Sequence, residues 1–113
     1  MKYDLEERTK KFGRSILSLV RAVQLSHLNR NIVDQLIRSA LSVGANYKEA
    51  NAGCSKKDFR NKISICRKEI SETEYWLEML AEVEKDKRSE LRTLWKESRE
   101  LTMIFSKIFH SLK

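Results

Sequence analysis

Five polar residues, Gln35, Ser39, Ser42, Asn46 and Glu49, recur at steps of four, three, four and three. That spacing puts all five on one face of an α-helix. Solvent-facing helix surfaces usually carry charged side chains, whereas this row is mostly small and neutral. The row is either a ligand site or a structural seam where a neighbouring helix comes close. Buried Gln and Asn in a seam need hydrogen-bond partners. Arg38, Glu69 and Glu72 are the groups able to close such a network, as a device for helix register or subunit contact. Gly44 lies in mid-helix beside the row, where it costs about 1 kcal/mol against Ala, so tight packing is expected there.

Other chemistry-bearing residues do not assemble into a catalytic set. Glu69, Glu72, Glu74, Glu78, Glu82 and Glu84 crowd one segment. Di-iron bundles pair such acids with Glu-x-x-His on facing helices, and no Glu here has a His three residues on. The two histidines, His27 and His110, lie near opposite ends of the chain, and a zinc site would need more Cys and His. "GANYKEANAG" lacks the Gly-Lys-Ser/Thr ending of a phosphate loop and sits in a helical segment. Cys66 falls on an apolar stripe and is expected in the core. Cys54 lies at a helix junction with no His nearby in sequence. No enzyme, metal site or cofactor is expected.

Charge points to a different class. The net charge is +7 over 113 residues, a balance that favours polyanionic partners. It is unevenly placed. Residues 54–71 carry Lys56, Lys57, Arg60, Lys62, Arg67 and Lys68 against Asp58 and Glu69, a net +4. Residues 72–85 carry Lys85 against five glutamates, a net −4. Lys10, Lys11, Arg14 and Arg21 add a basic face near the start. Lys10, Lys11, Arg14, Arg21, Lys56, Lys57, Arg60 and Lys62 are the candidate phosphate-backbone contacts. Tyr3 and Tyr47 are the aromatics placed to stack on bases, and Tyr47 falls on a core stripe. Recognition by shape and charge is therefore favoured over base readout.

The elements that must position these groups follow from apolar period and caps. Four helices are expected, over about 4–26, 31–52, 55–84 and 87–112, in a single domain. Asp4 with Glu7 and Ser55 with Asp58 fit helix starts, and Gly53 fits a helix stop. The stripes are Leu5, Phe12, Ile16, Leu19 and Val23; Val33, Leu36, Ala40, Val43, Tyr47 and Ala50; Phe59, Ile63, Cys66, Ile70, Thr73, Leu77 and Leu80; and Leu91, Leu94, Ser98, Leu101, Phe105, Ile108 and Leu112. Short connections make sequential helices antiparallel, so the fold class is all-α, an up-down-up-down four-helix bundle. No apolar run is long enough to span a bilayer, and "MKYDLEERTKK" has no apolar signal region. A cytoplasmic location without membrane attachment is expected. Ile37, Leu41, Ile65, Trp76, Met79, Trp95, Ile104 and Phe109 lie off the stripes. Covering such a second row suggests a homo-oligomer, with Ile37, Leu41 and Trp76 at its interface. The alternative is that broad stripes wrap the chain's own core.

"DQLIRSALSVGANYKEANAGCSKKDF", "ISICRKEISETEYWLEML" and the opening "DLEERTKKFGRSI" strongly resemble the four-helix bundle family encoded by intervening sequences of bacterial 23S rRNA genes. The family pattern matches Gln35, Leu36, Arg38, Ser39, Ser42, Val43, Gly44, Ala45, Asn46, Glu49 and Ala50, and then Glu72, Thr73, Tyr75, Trp76 and Leu77. The resemblance implies a long antiparallel bundle assembling into a ring, with a homopentamer favoured, and no established enzymatic activity. The family is similar in fold to the accessory variability protein of diversity-generating retroelements, a basic pentamer that binds nucleic acid and partners a reverse transcriptase. Two functions follow as expectations. One is a non-catalytic oligomer that binds nucleic acid, RNA before DNA. The other is an interaction scaffold or accessory subunit of a reverse transcriptase or another nucleic-acid enzyme.

Overall fold

The computed structural model describes residues 4–53 and 55–112. Tyr3 and Cys54, singled out above, lie outside the described residues. Four helices form: α1 (Leu5–Arg21), α2 (Arg30–Ala50), α3 (Lys56–Val83) and α4 (Arg88–Ser111). A 3-10 turn, Lys85–Lys87, leads into α4. Among the described residues there is no strand.

The helix ends follow local chemistry. The Asp4 carboxylate accepts from the Glu7 amide at 3.2 Å, and the Ser55 hydroxyl accepts from the Asp58 amide at 3.1 Å. Each satisfies one amide that has no partner within its helix. After α2, Gly53 turns the chain with φ +83, a conformation that L side chains resist. Helix α1 stops at Arg21, five residues earlier than the periodicity suggests. The reason is Asn29, which is 1% exposed. Its side-chain oxygen accepts from the Ser26 amide at 2.8 Å, and its amide group donates to Gln24 O and Glu84 Oε2, both at 3.0 Å. These bonds fold residues 22–29 into a loop, and Val23 drops into the core from it instead of from a helix.

The four apolar stripes meet in one core. Ile16, Leu36, Ile63, Ile70, Leu80, Leu101 and Phe105 have no solvent exposure. Partner residues run in opposite order along successive helices. Asn51 meets Glu6 and Gly44 lies beside Thr9. Glu49, Val43 and Ser39 meet Lys62, Cys66 and Thr73. Arg60, Glu74 and Glu78 meet Leu112, Arg99 and Trp95. Helix α2 packs most heavily on α3, α3 on α4, and α1 on α2; α1 touches α4 more lightly and has no close backbone approach to α3. The starts of α1 and α3 therefore share one end of a bundle 43 Å long, but on diagonal sides of it.

Gly44 proves not to be the close approach. A Cβ added there would meet Thr9 at an ordinary 3.5 Å, whereas one at Gly13 would lie 3.1 Å from Leu41 Cδ2. The tight contact is thus on the α1 side of the α1–α2 packing.

Candidate nucleic-acid interface

The polar row on α2 divides into three groups, each facing α3 or its own helix. Arg38 is the hub of the first. Its guanidinium donates to Gln35 Oε1 at 3.1 Å, to Glu69 at 3.0 Å and to Glu72 at 2.7 Å. Glu69 leaves only 13% of its side chain exposed. Burial pushes the Glu69 carboxyl up, but hydrogen bonding with Glu72, Arg38 and Ser42 more than offsets this and holds it below the usual carboxylate range. In turn Glu69 first, then Glu72, raise the Arg38 pKa. A general acid at neutral pH needs the opposite shift, so the Glu69 carboxylate is set up to hold a helix, not to give up a proton.

The second group is buried. Thr73 Oγ1 donates to Ser39 Oγ at 2.9 Å, and Ser39 bonds back to Leu36 O at 3.3 Å. In the third, Asn46 donates to both the carbonyl and the hydroxyl of Ser42 at 2.9 Å. Glu49 closes the row by pairing with Lys62. Among the described residues, no buried side-chain nitrogen or oxygen lacks a hydrogen-bond partner, and no group of three His, Cys, Asp or Glu is placed to hold a metal ion. Cys66 is buried beside Val43 O, and burial pushes its thiol up to about 12.

The candidate phosphate contacts come out differently from one another. Lys56, Lys57 and Arg60 are exposed at the start of α3. Lys62, one turn on, is taken by Glu49. On α1, Lys10 and Arg14 line a small apolar groove of about 260 Å³ against α2, together with Leu17, Leu41, Gly44 and Lys48. Arg14 also pairs with Glu7 at 3.3 Å. Lys11 faces the groove between α1 and α4. Arg21 sits at the far end of α1, roughly 24 Å along the axis from Leu5. Since α1 and α3 are diagonal, these eight residues are not one continuous patch. They form a basic end of the bundle with separate sides, and Arg21 is apart from it. Among the described residues, Lys10, Lys11, Arg21, Lys56, Lys57 and Arg60 have no carboxylate within salt-bridge distance.

The off-stripe apolar residues also divide. Ile37, Trp76, Trp95, Ile104 and Phe109 are half-buried against the chain's own core. Trp76 packs edge-on to Tyr75, with centroids 5.0 Å apart. Leu41 and Leu17, each 41% exposed, stay open to solvent at the α1–α2 groove, and Ile65 is exposed as well. So the broad stripes account for Ile37 and Trp76 in part, and of the three residues expected at an interface only Leu41 stays exposed.

Three arrangements are not apparent from helical periodicity. Arg8 grips Glu97 with two bonds of 2.8 Å and so fastens α1 to α4; its signal was only an arginine among lysines. Asn29 organises the first loop. Arg67 joins Arg60 over the ring of Phe109, with guanidinium carbons 4.4 and 4.1 Å from the centroid. The seven-residue spacing of the two arginines is their trace in the sequence.

No helix among the described residues is long and apolar enough to cross a membrane. No curated protein matches the chain. A solved structure does: a protein of unknown function from the S23 ribosomal protein family of Bacteroides thetaiotaomicron. It is 31% identical, the match covers 92% of this chain and 96% of that one, and the TM-score is 0.79. The family description "23S rRNA-intervening sequence protein" matches residues 1–107. The helical bundle, the α2–α3 seam and this nearly full-length match lead to one assignment: the chain belongs to the 23S rRNA-intervening sequence protein family.

Proposed function

We propose that this protein is a non-catalytic, oligomeric, up-down-up-down bundle that binds nucleic acid through the phosphate backbone, with RNA preferred. The observation that carries the reading is the contrast in charge pairing along α3. In its second half, Glu72 and Glu74 are bound to Arg38 and Arg99, while at its start Lys56, Lys57 and Arg60 stand exposed without a carboxylate partner among the described residues. Unpaired cations at one end of a basic protein suit a polyanion, because neutralising phosphates releases counterions. The family's tie to 23S rRNA favours RNA over DNA. The opposite order of partners along successive helices supports the up-down arrangement. The exposed Leu17 and Leu41 at a groove with Lys10, Arg14 and Lys48 on its rim support self-association. A ring, in particular a pentamer, is the form the family resemblance favours.

The test is size-exclusion chromatography with light scattering, with and without a structured RNA, at low and moderate salt. A ring-sized particle that takes up RNA at low salt and releases it as salt rises is the expected result. A monomer that ignores RNA at every salt concentration overturns the reading. Changing Lys56, Lys57 and Arg60 together to Glu is expected to weaken binding by about 100-fold or more without loss of helicity.

The same exposed leucines favour a second reading, an accessory subunit whose α1–α2 groove docks a reverse transcriptase or another nucleic-acid enzyme. It predicts RNA binding only in the presence of that enzyme, and it would place the protein with such an enzyme in the cytoplasm.

A further inference from the structure

Arg60 and Arg67 differ from the paired arginines of this chain. Arg8, Arg14, Arg38 and Arg99 each reach a glutamate. Arg60 and Arg67 are instead held by an aromatic ring. They sit seven residues apart on α3, hence on one face and two turns from each other. Both guanidinium carbons lie over Phe109 of α4, at 4.1 and 4.4 Å from its centroid. Arg60 also donates from Nε to the Leu112 carbonyl at 3.2 Å. Among the described residues, neither guanidinium has a carboxylate within salt-bridge distance. Lys56 precedes Arg60 by one turn on the same face, and the positions between and just beyond the arginines are Ser64 and Ser71. The first acid along that face is Glu74, already bound to Arg99.

The chemistry of this unit is specific. A ring face attracts a cation without neutralising it. The guanidiniums therefore keep their full charge, and Arg60 keeps the N–H donors other than Nε, while both lose much of their rotational freedom. A planar donor fork fits a phosphate with two parallel bonds, and a side chain ordered in advance loses less freedom on binding. From Lys56 to Arg67 the stripe runs about 16 Å along the helix, long enough to touch several phosphates of one strand.

We infer that Arg60 and Arg67, braced by Phe109, form the phosphodiester grip of this protein, with Lys56 extending it along α3. This rests on the nucleic-acid reading above and assigns the site to one side of the bundle, the α3–α4 face. Phe109 acts as a positioning residue, since its ring serves the guanidiniums instead of a base. The grip is therefore indifferent to sequence, because phosphates are the same at every step.

The experiment is fluorescence anisotropy with an end-labelled RNA hairpin and a sequence-scrambled hairpin of equal length, over a salt series. Arg60→Gln with Arg67→Gln is expected to weaken both RNAs equally, about tenfold or more, and to reduce the salt slope by nearly two. Arg92→Gln with Arg99→Gln removes the same charge from the other half of the bundle and is expected to cost less than about threefold. Phe109→Leu keeps every charge, so it is expected to weaken binding about threefold while leaving the salt slope unchanged, with helicity checked by circular dichroism. If the wild type binds and the two double variants lose affinity equally, the effect is net charge and the grip is refuted. Unchanged affinity in Arg60→Gln with Arg67→Gln also refutes it while leaving nucleic-acid binding intact. A wild type that binds neither RNA overturns the broader reading and the grip with it.

Discussion

The two halves of α3 use charge in opposite ways. From residue 69 onward four of its carboxylates bind neighbouring helices, Glu69 and Glu72 to Arg38, Glu74 to Arg99, and Glu78 to the Trp95 indole N–H at 2.8 Å, while Glu82 is exposed. These bonds join α3 to both of its neighbours at defined heights. Before residue 69 the prominent charges are cations; Lys62 pairs with Glu49, whereas Lys56, Lys57, Arg60 and Arg67 reach a ring, a carbonyl or solvent. One half spends its charge on helix register, and the other leaves most of its cations open to a partner. The difference teaches that the bipolar composition of α3 is a division between cohesion and binding. Stability should therefore respond to changes in the first region, and affinity to changes in the second.

The largest expected effect on stability is at Asn29, whose side chain ties the first loop to Glu84 at the end of the acidic half. Asn29→Ala breaks three bonds at a buried site and should cost about 2 kcal/mol in urea unfolding. A loss under about 0.5 kcal/mol would mean the loop is held by Val23 and its backbone bonds instead.

Acid should dissolve the register network next. The Glu69 carboxyl lies lower in the folded chain than in the unfolded one. Its contribution is thus present above the ordinary Glu pKa near 4.3 and is lost as pH falls through the lower folded value. Glu69→Gln should flatten the acid limb of a stability–pH curve, while Lys56→Gln should leave that limb as it is. Equal curves for wild type and Glu69→Gln would remove Glu69 from the network.

The glycines sharpen the comparison in sign. Gly44→Ala has room and negative φ, so it should stabilise by up to about 1 kcal/mol. Gly13→Ala should gain less or lose stability, because Leu41 has to move. Gly44 was legible as an unusual mid-helix residue, but not as a dispensable one. That judgement depends on how closely α1 approaches, which no single helix reveals.

The smallest effect on stability is expected at the exposed lysines that open α3. Lys56→Gln with Lys57→Gln should shift the melting temperature by less than about 2 °C, since both side chains are exposed and neither has a bonded partner among the described residues. A larger loss would show that the basic end helps hold the fold and would blur the division within α3.

The sequence alone determined the local features of this protein. Apolar residues at steps of three and four mark the stripes that become the core, Asp4 and Ser55 mark helix starts, and Gly53 marks a stop, because each depends on neighbours within one or two turns. Arg38 with Glu69 and Glu72 was also legible, since all three lie beside facing core stripes. Only the tertiary structure decided the rest. The order of packing put α1 and α3 on diagonal sides and so separated the candidate phosphate contacts of the two helices. The light α1–α4 contact is fastened by Arg8 and Glu97, which are 89 residues apart. Arg60 and Arg67 meet at Phe109 because α4 returns past the start of α3. Periodicity tells which face of a helix is buried, but not which neighbour covers it. A charge acquires its role only when that neighbour supplies a carboxylate, a ring or nothing at all.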